Sequence, residues 1–146
     1  MRRSAKTRKS APVRRREMTD LHMHSTFSDG LHSVEELIDM GSIRNLTSMS
    51  ITDHDNIDSW AKGNAHAQSK GIELIPGVEI SAVHEGRDIH ILGYFFDPTN
   101  LNLNMQMQEQ SKIRQTRIKM IIKKLAALGI DISFDLVKSF SQNGVL

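Results

Sequence analysis

The sequence has no cysteine among its 146 residues. That excludes disulfides, thiolate metal sites and a cysteine nucleophile, so any bound metal must be held by nitrogen and oxygen donors. It also suits a reducing compartment, and residues 1–17 contain no apolar h-region of a secretory signal, so a cytoplasmic location is expected. No apolar run reaches the ~18 residues of a membrane-spanning helix, which excludes an integral membrane protein. Internal repeats are absent, as are a P-loop, a nucleophile elbow and a zincin motif. The length fits one domain of ~150 residues, and 38% hydrophobic with 25% charged residues is the balance of a globular chain.

Charge of one sign is unevenly spread. Residues 1–17 hold eight of the 19 basic residues against one acid, Glu17, which leaves 11 bases and 16 acids in the rest, a net of −5. An acidic body argues against a duplex DNA partner, because Lys/Arg contacts to phosphate supply most nucleic-acid affinity. The basic stretch has three readings: a nucleic-acid-binding tail, an organelle transit peptide, or sequence upstream of a start at Met18. The third is favoured, because Met18 directly precedes the first strand-like run. Residues 1–17 are therefore expected to be a disordered arm and 18–146 the domain.

From Thr19 onward, strand-like and helical runs alternate. Strands are expected at Thr19 to His24, Leu46 to Thr52 and Ile72 to Ile75, and a hairpin at Val78 to Val83 and Asp88 to Phe96 around Glu85-Gly86-Arg87. Ser33 and Glu36 form a capping box that opens a helix. A second helix spans residues near Ser59 to Lys70, and a long one runs from Asn104 to Leu128 with Ile118, Ile121, Ile122, Leu125 and Leu128 on one stripe. A short helix follows within Ile132 to Phe140. This rhythm predicts an α/β fold with a parallel sheet, or the first part of a barrel.

Seven histidines stand out in so small a chain. His22 and His24 are two apart on an expected strand and so share a side. Asp29 lies in the loop that follows, His54 just past the second strand, Glu79 after the Pro76-Gly77 turn, and His90 on the hairpin. Functional groups gather at the carboxyl ends of strands in α/β folds, so four imidazoles and two carboxylates are expected to converge. Such a set suits more than one metal ion, of the Mn, Fe or Zn type. Asp20, Asp53 and Asp55 are placed to orient imidazoles from behind. His32, His66 and His84 keep the ordinary reading of a histidine in a cap, a helix and a turn. Trp60 and Tyr94 are expected in the core, and Arg114 and Arg117 on the long helix are candidates for contacting a substrate phosphate.

Asp20-Leu21-His22-Met23-His24-Ser25 with Ser28-Asp29-Gly30, Thr52-Asp53-His54-Asp55, Pro76-Gly77-Val78-Glu79-Ile80-Ser81 and His90-Ile91-Leu92-Gly93-Tyr94 resemble the successive motifs of the PHP (polymerase and histidinol phosphatase) superfamily. The chain is most similar to its bacterial stand-alone phosphoesterases acting on nucleotides and short RNA. The resemblance implies the N-terminal portion of a distorted (β/α)7 barrel, followed by the start of a helical insertion, with three divalent ions. It implies that His22 and His24 hold one ion, that Glu79 bridges it to a second held also by His90, and that Asp29 and His54 hold the third. Hydrolysis by metal-bound hydroxide, releasing phosphate from nucleoside 3′,5′-bisphosphates or RNA 5′ ends, follows as the implied activity.

The family's later ligands, a histidine in an Ala-His-Pro-like strand end and an Asp/His pair, are not found before Leu146. Six of nine ligand positions are present, so the 146-residue chain by itself is expected to be a fragment or truncated form of low activity. Two rivals remain: a non-catalytic metal-binding remnant, and an amidohydrolase-type barrel, which also carries His-x-His but would need a bridging lysine.

Overall fold

The computed structural model describes residues 17–140, so most of the expected basic arm lies outside the described residues. Three short strands, β1 (Met18–Asp20), β2 (Leu46–Met49) and β3 (Glu73–Leu74), form a parallel sheet in the order β1-β2-β3. Helix α1 (Val34–Ile43) connects β1 to β2, and α2 (Asp58–Ser69) connects β2 to β3. The α/β alternation read from the sequence is thus the architecture. All three strands are shorter than expected, and His22 and His24 lie past the end of β1. Beyond the strands, pairing continues through single bonds, Ser50 N to Asp20 O at 2.9 Å and Thr52 N to Met23 O at 2.8 Å. A regular ladder gives way to loops there because the backbone must bend to carry side chains into the site.

The hairpin follows, β4 (Gly77–His84) with β5 (Arg87–Tyr94), joined by Glu85 and Gly86. Both turn residues have positive φ, 50° and 74°, the twist-matching geometry of two-residue hairpins. A parallel bridge between His54 and Glu79 couples this hairpin to the segment after β2.

Helix α1 starts at the expected capping box: Ser33 Oγ accepts from Glu36 N at 3.2 Å and Glu36 Oε2 accepts from Ser33 N at 2.8 Å. Its buried face, Val34 and Ile38, meets Met49, Ile51, Ala67, Ile72 and Leu74 in the main core, with Trp60 packed against it as expected. Trp60 Nε1 also donates to Leu74 O at 2.9 Å. A smaller cluster of Ile57, Val78 and Met107 seats the beginning of the long helix α3 (Leu101–Ala127).

The stripe on α3 departs from expectation. Ile121 and Leu128 are 46% and 77% exposed, and Met107 is the buried residue of this helix. The helix outruns the small sheet, so its first turns alone find a core. The short helix α4 (Phe134–Ser139) folds back near its end, with Lys119 over the Phe134 ring.

Helices α1 and α2 approach most closely at Gly63, where an added Cβ would lie 2.5 Å from Val34 Cγ1 and 2.9 Å from Ile38 Cδ1. Val34 is β-branched and stiff, so it cannot swing clear. Gly63→Ala is expected to lower stability by about 1–3 kcal/mol, against the ~1 kcal/mol gained in helix propensity. Urea denaturation checks this; a variant more stable than the parent would refute the close approach.

Candidate metal centre

Glu79 gathers the site. The β4/β5 register places His90 opposite Ser81, diagonal to Glu79, within reach of a long side chain. His90 Nδ1 lies 2.6 Å from Glu79 Oε1. The other carboxylate oxygen lies 2.8 Å from His22 Nε2 and 3.1 Å from His24 Nε2. His54 joins by ring contacts, 4.7 Å from the His24 ring and 4.8 Å from the His90 ring. Asp29 closes the other side, 3.4 Å from His24 Nδ1 and 3.8 Å from His54 Nε2. All six expected ligand residues therefore meet in one place.

Burial pushes the Glu79 carboxyl up, but the bonds from His22 and His90 and the charges of His54 and His24 outweigh it and hold the group below the usual carboxylate range.

Three overlapping groups have donor atoms within 4.8 Å of one another: His22, His24 and Glu79; His24, Asp29 and His54; His54, Glu79 and His90. The residues fit divalent cations on two observations. His54 Nδ1 is buried and has no hydrogen-bond partner, and an orphaned buried nitrogen is costly unless something binds it. His22 Nε2 and His24 Nε2 stand 3.3 Å apart while both face one Glu79 oxygen, a focus of lone pairs that suits a cation. Imidazoles and carboxylates together match Mn, Fe or Zn chemistry.

The three expected orienting carboxylates act differently. Asp20 Oδ1 accepts from the His22 backbone N at 3.4 Å. Asp53 is fully buried and takes hydrogen bonds from Ser25 N, Ser25 Oγ and Ser28 Oγ, each at 2.7 Å, and from Ser59 Oγ. Asp55 Oδ1 accepts from Ser81 N at 2.8 Å, and its Oδ2 pairs with Arg114. Among the described residues none of the three accepts from an imidazole. Their side chains are consumed by backbone amides, hydroxyls and a guanidinium, so they shape the loops that carry the imidazoles.

Sequence reasoning missed those serines, and it placed Tyr94 in the core, whereas the ring is half-buried outside both apolar clusters. The Tyr94 hydroxyl donates to Leu21 O at 2.8 Å, pinning the residue before His22. Burial raises the Tyr94 phenol above its ordinary range, and the charge of Glu79 adds to that. The available signal was alternation: His90 and Tyr94, four apart on a strand, share a face. Gly30 was also overlooked; a Cβ there would lie 2.0 Å from His24 O, so the loop holding Asp29 closes only around glycine.

Two clefts open beside the cluster. One is lined by His54, Asn56, Asn104, Gln108 and Arg114, the other by Ser81, His90, Gln110, Arg114 and Arg117. The Arg114–Asp55 pair stands between them. His32, His66 and His84 lie elsewhere, beside Glu36, Asp39 and Glu85 respectively.

Fold and site together define an α/β domain with a multidentate histidine and carboxylate cluster beyond the carboxyl ends of parallel strands. Residues 20–124 match the PHP domain family model, and the chain belongs to that family. It is 39% identical over 126 residues to a 5′-3′ exoribonuclease of Haemophilus influenzae, and 34% identical over 124 residues to a 3′,5′-nucleoside bisphosphate phosphatase of Chromobacterium violaceum. These alignments cover 86% and 85% of this chain but 46% and 44% of the relatives, so the chain spans about half the length of the curated relatives it matches. A solved amidohydrolase from Chromobacterium violaceum, with sulfate bound and no metal, superposes with a TM-score of 0.73 at 33% identity, covering 80% of this chain and 41% of that one. A protein from Bifidobacterium adolescentis assigned as a metal-dependent phosphoesterase gives 0.74 at 26% identity, covering 90% and 47%.

The Tyr94 bond is testable. Tyr94→Phe removes one hydrogen bond, about 1 kcal/mol, so titration with Zn²⁺ should show metal affinity roughly fivefold weaker with unchanged helical content. Unaltered affinity would mean that the Leu21 carbonyl needs no anchor.

Proposed function

We propose that the natural protein carrying this chain is a metal-dependent phosphoesterase that releases phosphate from nucleotides, such as nucleoside 3′,5′-bisphosphates, or from the 5′ ends of short RNA. The observation that carries this reading is the convergence of four imidazoles and Asp29 around the buried carboxylate of Glu79. His22, His24 and Glu79 would hold one ion, Glu79 and His90 with His54 beside them a second, and Asp29 and His54 a third, with Mn, Fe or Zn as candidates. Divalent cations in such a site neutralise phosphoryl oxygens and lower the pKa of water toward neutrality.

The chain's own residues supply the rest. Glu79 fixes His22 and His90 against each other, and Tyr94 and the Asp53 network fix the loops that bear His22, His24 and Asp29. Arg114, held by Asp55, and Arg117 line the cleft beside His90, where guanidinium groups suit the outer oxygens of a phosphate. The exoribonuclease and bisphosphatase names of the relatives support phosphoester over amide chemistry.

The test is phosphate release by the natural protein, supplied with Mn²⁺, from a nucleoside 3′,5′-bisphosphate and from a 5′-phosphorylated oligoribonucleotide. His24→Ala should reduce the rate by more than the 10–100-fold typical of losing a ligand's outer partner, and a chelator should abolish it. Full activity in chelator would defeat the proposal. Elemental analysis of this chain after Mn²⁺ loading should give bound metal that falls in Glu79→Gln.

A further inference from the structure

His24 belongs to two of the three donor groups, one with His22 and Glu79 and the other with Asp29 and His54. An imidazole offers a lone pair to a metal through the nitrogen that carries no proton, so whatever fixes its tautomer decides which group His24 serves. The Ser28 hydroxyl is placed to make that choice. It lies 2.7 Å from Asp53 Oδ1, 3.4 Å from His24 Nδ1 and 3.4 Å from Asp29 Oδ1.

A serine hydroxyl has one proton to donate and lone pairs with which to accept. The contact to Asp53 takes the proton, at 2.7 Å against 3.4 Å to each of the other two neighbours, since the shorter distance marks the stronger hydrogen bond. Asp53 is already the acceptor for Ser25 N, Ser25 Oγ and Ser59 Oγ, so it takes the Ser28 proton rather than offering one. With its proton committed, Ser28 Oγ faces His24 as an acceptor.

We propose that Ser28 is a positioning residue for His24: its hydroxyl, polarised by Asp53, accepts from His24 Nδ1–H and leaves Nε2 as the ligand atom aimed at the His22/Glu79 group. The inference rests on the metal-dependent reading above and deepens it. It assigns His24 to one donor group and leaves Asp29 and His54 to the other. Asp29 lies as near to His24 Nδ1, but its side chain is 70% exposed, so water competes for it. Ser28 is half-buried and held in place by Ser28 N to Ser25 O at 3.0 Å.

The test needs no turnover. Long-range ¹H–¹⁵N correlation spectra of the Zn²⁺-loaded chain, with His24 identified by its loss in His24→Ala, should show Nδ1 protonated and Nε2 metal-bound. Ser28→Ala should lose about tenfold or more in Zn²⁺ affinity, as is typical for an outer partner of a metal-bound histidine, and should lower metal-free melting only by the loss of one donor to Asp53. Ser28→Thr, which keeps the hydroxyl, should restore affinity to near the parent value. The parent spectrum decides the tautomer even if Ser28→Ala proves unstable. Coordination of His24 through Nδ1 would overturn the proposal, as would wild-type affinity with the same nitrogen pattern in Ser28→Ala. A chain showing the expected pattern within a natural protein that hydrolyses no phosphoester would overturn the proposed function and leave the Ser28 relay standing; a chain that takes up no Zn²⁺ would overturn the relay and leave the proposed function to the phosphate-release assay.

Discussion

The constraint on which the rest depends is the double use of Glu79. Its backbone bonds to the segment after β2 in both directions, Glu79 N to Asp53 O at 3.2 Å and Asp55 N to Glu79 O at 2.9 Å. Its carboxylate, 5% exposed, collects His22, His24 and His90. The attachment of the β4/β5 hairpin to the parallel sheet and the assembly of the imidazoles are therefore one event. A buried carboxylate left without partners costs several kcal/mol, so the hairpin cannot slide without breaking the cluster, and the cluster cannot disperse without stranding a charge.

Strands of two to four residues hold little by themselves, and what stiffens the site is hydrogen bonding behind it. Asp53 ties the Ser25–Ser28 turn to the start of α2 through Ser59. Asp55, at φ 49°, a conformation that Asp tolerates better than most residues, joins β4 at Ser81 to α3 at Arg114. Tyr94 secures the chain entering His22. Most of these links cross between segments distant in sequence, so the geometry of the six candidate ligands rests on a few polar contacts in a domain with a modest apolar core.

The six residues that converge in one cluster, the α/β alternation, the capping box at Ser33 and the hairpin were legible because each is a local pattern of residue type and spacing. Strand lengths were not: the pairing of Ser50 with Asp20 and Thr52 with Met23 continues as single bonds, and a sequence does not reveal where a ladder becomes a loop. The roles of Asp53 and Asp55 were misread for a different reason. Carboxylates beside His54 looked like imidazole partners, but nearer donors from Ser25, Ser28, Ser59, Ser81 and Arg114 claim them, and those contacts exist only after the fold brings distant segments together. The apolar stripe of α3 shows the same limit, since periodicity marks a face that favours burial but does not name what meets it.

The difference between Asp53 and Asp55 also settles how positive charge is distributed near the clefts. Asp55 is paired with Arg114, so that guanidinium is largely neutralised where it stands between the two clefts. Arg117 forms no ion pair among the described residues and lines the cleft beside His90, with Asp88 on the same lining, so it is the guanidinium there that no carboxylate holds. Asp53 receives only amide and hydroxyl donors, so it takes no guanidinium away from the clefts. Under the proposed reading, attraction of a phosphate toward the site thus rests on Arg117 and the bound ions, while Arg114 contributes direction more than charge, its fork held in one orientation by Asp55.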